Sequence, residues 1–242
     1  MIVRVGKTAF DVDMIVFDKD GTLIDLNAAW APAARIWIET SADGDPTTMN
    51  ALEAELGVDD DGQLLDGGSL ASEAVGQITA RTRAVLLSNG VDESAAEQRM
   101  KAAQAGIDQM TIDVRPLGPV RMIMERLAHA GLILTIASSD NASQIHADLV
   151  QLGISAVISA VAAGDGPWPP KPHPGGIIAL ADQFEVDPHR LLMVGDSLTD
   201  VAAARNAGAA GVVGVARADG TCVIAPMVDA VVRTIGELIV AV

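Results

Sequence analysis

Residues 14–24, Met-Ile-Val-Phe-Asp-Lys-Asp-Gly-Thr-Leu-Ile, constrain this chain more than any other stretch. Four apolar residues run straight into two carboxylates, Asp18 and Asp20, one residue apart, and then into Gly21-Thr22. A buried strand that stops so abruptly sets both acids at the carboxyl edge of a sheet, where open α/β folds bind ligands. Two anions held that close repel unless a cation lies between them or one carries a proton. The pattern therefore asks for Mg²⁺ and a division of labour, one carboxylate as nucleophile and the other as acid/base. The competing reading is a plain turn whose Asp, Gly and Thr cap the next helix.

Short apolar runs recur and predict strands at 14–18, 132–138, 155–161, 191–195 and 211–215. Helical patterns at 119–129, 141–151, 174–184 and 198–207 separate them, and this alternation predicts a mostly parallel sheet. Val120, Ile123, Met124 and Leu127 stand at helical spacing, and Gly131 supplies a stop. Residues 1–10 suit an extra edge strand or hairpin. Residues 26–113 differ in having no convincing strand. Trp30, Ala33, Ala34 and Trp37 share one helical face, Val75, Ile78, Thr82 and Val85 form a second stripe, and Ala96, Met100 and Ala103 a third, entered at Asp92-Glu93. Such an insertion after the first strand predicts a separate lid over the active edge. Its hinges would be Leu23 to Leu26 and Arg115-Pro116-Leu117-Gly118. The acidic run Asp59-Asp60-Asp61-Gly62 falls out of frame for a calcium loop, with Gly57 and Gly68 where acids are required, and reads as a solvated loop.

Charge and composition narrow the function. With 16 basic against 32 acidic residues, the net charge of −16 repels nucleic acid and anionic membranes. It repels a phosphorylated ligand too, so a phosphate site must be made attractive locally. Only four lysines are available: Lys7, Lys19, Lys101 and Lys171. Three Trp, three Phe and no Tyr argue against base stacking. Mean hydropathy is +0.33, yet no uninterrupted apolar run approaches the ~18 residues of a membrane span. No secretory signal is expected at the N-terminus, and the single Cys222 suits a reducing cytoplasm.

If Asp18 attacks phosphorus, it needs donors for the phosphoryl oxygens, a cation opposite, and further carboxylate for Mg²⁺. Each part follows a predicted strand. Ser138-Ser139-Asp140-Asn141 places Ser138 to donate to a phosphoryl oxygen, although a serine there is equally a helix cap. Trp168-Pro169-Pro170-Lys171-Pro172-His173-Pro174 restrains Lys171 between prolines as a phosphate clamp, or is a proline-rich turn with an incidental lysine. Gly195-Asp196-Ser197-Leu198-Thr199-Asp200 offers Asp196 as a hard oxygen ligand, with Asp200 one helical turn on. Acids in a first helical turn are also favoured by the dipole, which is compatible with metal binding.

In this order the motifs resemble those of the haloacid dehalogenase superfamily of phosphohydrolases, subclass I with a helical C1-type cap, in its phosphoglycolate phosphatase-like branch. The resemblance implies an α/β fold: a Rossmann-like three-layer core with a mostly parallel sheet plus an inserted all-helical cap domain. The core would comprise 1–25 and 114–242, and the cap 26–113. It implies that Asp18 forms an aspartyl-phosphate, and that Asp20 protonates the leaving alcohol and then activates water. Ser138, Ser139 and Lys171 would hold the phosphoryl group, with Gly21 and Thr22 assisting. Asp18, Asp20 (through its carbonyl), Asp196 and Asp200 would hold Mg²⁺, Asp200 directly or in support. Asp20 argues against a dehalogenase, and Asp200 tilts away from a phosphomutase. His173 departs from the acid that related phosphatases often carry after Lys-Pro. The implied partner is a small phosphorylated metabolite, phosphoglycolate-like or a sugar phosphate, acted on by a cytoplasmic monomer or homodimer. The alternatives are a phosphotransferase or mutase on the same fold, and a binding module that has lost turnover.

Overall fold

The computed structural model describes residues 1–65, 67–73, 75–217 and 220–241. It opens with a hairpin of β1 (Ile2–Val5) and β2 (Thr8–Asp11), turned at Gly6, whose φ of +56° suits a residue without a Cβ. Next come β3 (Met14–Phe17), β4 (Ile133–Ala137), β5 (Ala160–Ala162), β6 (Leu191–Gly195), β7 (Gly211–Val215), β8 (Ala230–Val232) and β9 (Ile239–Ala241). Strands β3 to β8 form one sheet in the order β5-β4-β3-β6-β7-β8, parallel throughout. β9 pairs instead with β1, completing a small antiparallel sheet β2-β1-β9.

Strand β3 lies at the centre of the large sheet, between β4 and β6. All four of its residues are buried, as are all five of β6 and of β7. Strands buried on both faces read as unbroken apolar runs rather than as alternation, which is why these three stand out in the sequence. Within them the faces still divide. Met14, Val16, Leu191, Met193 and Val212 pack with Ile177, Leu180, Val201 and Ala204 in one cluster. Ile15, Phe17, Leu192 and Val194 are equally buried but project the other way.

The insertion after β3 is α1 (Leu26–Ala42), α2 (Pro46–Leu56), α3 (Ser69–Ser72), α4 (Val75–Ser88) and α5 (Glu93–Ile107). By contacts the chain divides into two compact units, Met1–Asp25 with Val114–Val242, and Leu26–Asp113. The helical unit has its own core of Trp37, Ile38, Leu52, Leu56, Leu86, Ala96, Met100 and Ala103. The Trp37 indole N–H donates to Thr82 Oγ1 at 2.8 Å, which satisfies both buried polar atoms. The stripe read on α4 holds at Thr82 but not at Val75, which is 56% exposed at the first residue of the helix. The 59–62 run is a loop in which Asp59 Oδ1 accepts from the N–H groups of Asp61 and Gln63.

The remaining helices are α6 (Val120–His129), α7 (Ala142–Gln151), α8 (Gly175–Gln183) and α9 (Leu198–Ala207). They lie within a residue of the positions expected from the sequence, as do four of the five strands. The exception is 155–161, where only Ala160–Ala162 pair, against Thr135–Ala137. Residues before it are drawn into a turn, with Val157 N–H donating to the Ile154 carbonyl. Among the described residues, no helix is long and apolar enough to cross a membrane.

Candidate active site

The carboxyl ends of β3, β4 and β6 open onto one edge, and the acids lie there. The Asp18 N–H donates to the Val194 carbonyl at 2.8 Å, so the parallel ladder continues to the first acid. Beyond it the chain turns at once: the Lys19 carbonyl accepts from Leu23 N–H (2.8 Å) and Ile24 N–H (3.1 Å). Gly21 makes this turn, with φ +82°. A Cβ there would come within 2.0 Å of Asp196 Oδ2. Gly195 answers the same crowding on β6, where a Cβ would lie 2.6 Å from the Asp200 carboxyl. Two glycines thus let two acidic turns approach each other.

One carboxylate oxygen each from Asp18, Asp196 and Asp200 lies within 4.8 Å of the other two. Lys171, just ahead of α8, neutralises part of this cluster. Its ammonium donates to Asp18 Oδ1 and to Asp200 Oδ1, both at 2.6 Å. An ammonium has three donors, and these two bonds leave one for a ligand. Asp200 Oδ2 accepts from the Ser197 N–H (3.1 Å) and hydroxyl (2.6 Å), closing a capping box at the start of α9. Capping and site placement are therefore one arrangement at Asp200. Asp18 Oδ2, by contrast, takes no protein donor among the described residues.

Burial pushes the Asp18 carboxyl up to about 7, against the pull of Lys171 and with Asp200 and Asp20 adding to the rise. Burial and the nearby Asp18 and Asp200 likewise hold Asp196 well above the ordinary carboxylate range. The Lys171 ammonium is held above its usual value by the charges of Asp18 and Asp200, which outweigh its burial. Acids this reluctant to ionise together are what a divalent cation relieves. An all-oxygen set fits Mg²⁺, which prefers hard ligands and draws few of them from the protein.

The other expected positions sort into two groups. Ser138 is buried at the end of β4, and its Oγ accepts from Asp140 N–H at 3.1 Å, leaving the hydroxyl proton to donate elsewhere. Ser139 follows, half-buried, with its carbonyl within 2.0 Å of where a Cβ on Gly164 would lie. Gly21 and Thr22, expected on the phosphate, make contacts within the site. Gly21 N–H donates to the Ile24 carbonyl at 2.8 Å, and Thr22 Oγ1 to Asp196 Oδ1 at 3.4 Å. These contacts tie the tight turn to itself and to Asp196. His173 lies on the exposed rim, its Nδ1 accepting from Gly175 N–H. In the helical unit, Arg81 pairs with Glu73 and Glu55, and Arg83 with Glu93, so these arginines serve surface ion pairs.

One residue had no role assigned from the sequence. Lys19 is fully buried, and its ammonium reaches Asp20 Oδ1 (2.9 Å) and Oδ2 (2.8 Å), Asp148 Oδ2 (2.6 Å) and Asp140 Oδ2 (3.3 Å). The signal was available: a lysine two residues past a wholly apolar strand, and Asp148 within the buried stripe Ile145, Asp148, Leu149 of α7.

The model of the haloacid dehalogenase-like hydrolase family matches residues 12–208. The phosphoglycolate phosphatase of Vibrio parahaemolyticus is 29% identical over 205 residues, covering 84% of this chain and 83% of its own length. That of Rhodospirillum rubrum is 27% identical over 195 residues, covering 80% and 76%. Among solved structures, a predicted phosphoglycolate phosphatase from Haemophilus somnus superposes with a TM-score of 0.70 at 21% identity, covering 96% of this chain and 97% of its own. CbbY of Rhodobacter sphaeroides, crystallised with phosphate, superposes at 0.60 and 18% identity, covering 93% and 96%. At those identities the structural likenesses speak for the fold. The family match spans most of the chain, including every strand-end motif described above, and the chain is an enzyme belonging to the haloacid dehalogenase-like hydrolases.

Proposed function

We propose that this hydrolase is a Mg²⁺-dependent phosphatase of small phosphomonoesters, with phosphoglycolate or a sugar phosphate as the nearest substrate. The carrying observation is Asp18: one oxygen is pinned by Lys171 and the other is open, within reach of two more acids. That is the constraint a carboxylate nucleophile requires. The phosphatase names of the curated relatives support the substrate class. A cytoplasmic setting, where phosphorylated metabolites are made, belongs to the same reading.

Asp18 Oδ2 attacks phosphorus and the ester oxygen departs, giving an aspartyl-phosphate on Asp18. Asp20 delivers its proton to the leaving alcohol and then takes one from the water that cleaves the acyl phosphate, so proton count and charge return to their start. The Ser138 hydroxyl and the third Lys171 N–H hold phosphoryl oxygens through the transfer. Asp18, Asp196 and the Asp20 carbonyl would hold Mg²⁺, with Asp200 supporting them by fixing Lys171. The bound ion supplies positive charge against the phosphoryl oxygens.

The test is a panel of phosphorylated metabolites and p-nitrophenyl phosphate, assayed with Mg²⁺ and after chelation. Asp18→Asn should lose at least ~10³-fold in turnover while keeping its native fold by circular dichroism. Retained activity in that variant would remove the mechanism. Inorganic phosphate released in proportion to alcohol, with no acceptor added, separates hydrolysis from transfer to a sugar.

A further inference from the structure

We propose that Lys19 is a positioning residue for Asp20: a buried, anchored ammonium that sets the acid/base carboxylate in place for proton transfer to the leaving oxygen. The proposal rests on the phosphatase reading above and goes beyond it. The chain turns directly after Lys19, whose carbonyl takes three N–H groups of the turn, from Thr22, Leu23 and Ile24. This doubling-back brings the next side chain, Asp20, over the ammonium of its own neighbour. Both Asp20 oxygens come within 2.9 Å of Nζ.

The ammonium cannot readily leave. Asp148 Oδ2 holds it at 2.6 Å, while Asp148 Oδ1 accepts from the Gln144 amide at 2.8 Å, so this 1% exposed carboxylate is satisfied at both ends within α7. Asp140, just past Ser138, adds a third acid at 3.3 Å. A pair that merely tied β3 to α7 would need only Lys19 and Asp148. Here a third element is held, and it is the acid two residues from the nucleophile. The Asp20 side chain is 17% exposed, against 1% for those of Lys19 and Asp148, so a buried base carries a carboxylate that solvent or a ligand can still reach. Held from behind, Asp20 gives up few rotamers on reaching the geometry of proton transfer.

Proton delivery matters in proportion to how badly the leaving group needs it. An alkyl alcohol departs poorly without a proton, whereas p-nitrophenolate departs unaided. Lys19→Met should therefore lower kcat/KM for the best alkyl phosphate of the panel by about 10²-fold, the scale of a general acid's contribution, and for p-nitrophenyl phosphate by less than about threefold. Adding Lys19→Met to Asp20→Asn should cost little more on the alkyl substrate, because the two act as a unit. A purely structural lysine would lower both substrates alike and add its full loss to that of Asp20→Asn; either result, or no loss at all, overturns the proposal. Should Lys19→Met fail to fold by circular dichroism, Lys19→Met with Asp148→Asn removes one buried negative charge together with the positive one and reads the same ratio. If the unaltered enzyme hydrolyses neither ester, the phosphatase reading itself fails; a wild type active on both isolates the lysine.

Discussion

Asp18 and Lys171 depend on each other, and the consequence can be measured without any substrate. Lys171→Met would leave Asp18 and Asp200 as buried acids lacking their shared cation. Breaking a buried pair on one side costs about 3–5 kcal/mol. In a chain of this size that corresponds to a fall of roughly 6–20 °C in thermal midpoint, and a drop under about 2 °C would contradict it. A second expectation concerns pH. Asp18, raised from 3.8 to about 7, binds its proton more tightly folded than unfolded, and Asp196 shifts the same way. Stability of the metal-free protein should then fall as pH rises from about 4 through about 7. Mg²⁺ favours the ionised acids, so its stabilisation should be larger near pH 8 than near pH 5; calorimetry that found the reverse would refute the assignment. Asp13 runs oppositely: hydrogen bonding from Arg190 lowers it to about 2, so its contribution is present above 3.8 and lost only as pH falls towards 2. Asp18 and Asp196 are legible in the sequence because each follows an apolar run, and Asp200 because it stands one helical turn past Asp196. The burial of Lys19 is harder to see, since its partners Asp140 and Asp148 lie far along the chain.

At the scale of elements, the turns after β3 and β6 matter most. The Ser197–Asp200 capping box ties the first turn of α9 to the cluster, so Ser197→Ala should cost about 1 kcal/mol and free Asp200 to wander. Mg²⁺ affinity by titration calorimetry should drop several-fold in that variant, and unchanged affinity would separate cap from site. Gly195→Ala should be worse, because the new methyl meets the Asp200 carboxyl within 2.6 Å of its Cβ. Strands β3, β6 and β7 were visible from sequence as fully buried runs, and α9 from its acids at the first turn. Strand β5 was misjudged in extent because only three residues find partners on β4, and pairing length is a property of the neighbour. Strands β8 and β9, three residues each, carry too little pattern to be read at all.

At the scale of the whole molecule, a net charge of −16 sets the terms on which an anionic substrate arrives. Long-range repulsion should slow capture in dilute buffer, so kcat/KM for a phosphomonoester should rise roughly twofold as salt increases from about 10 to about 150 mM. A steady fall with salt would indicate attraction instead. The breaks at residues 25 and 114 could be read from the change of pattern alone, whereas the joining of β9 to the N-terminal hairpin could not, being a pairing between opposite ends of the chain. One detail of those breaks reaches further. The outgoing and returning strands are stitched to each other: Asp25 N–H to the Arg115 carbonyl at 2.8 Å, Leu117 N–H to the Leu23 carbonyl at 2.9 Å, and Ile24 bridged to Pro116. The sheet-bearing unit is thus sealed at its own doorway, so the two ends of the helical passenger are moored side by side whatever is threaded between them.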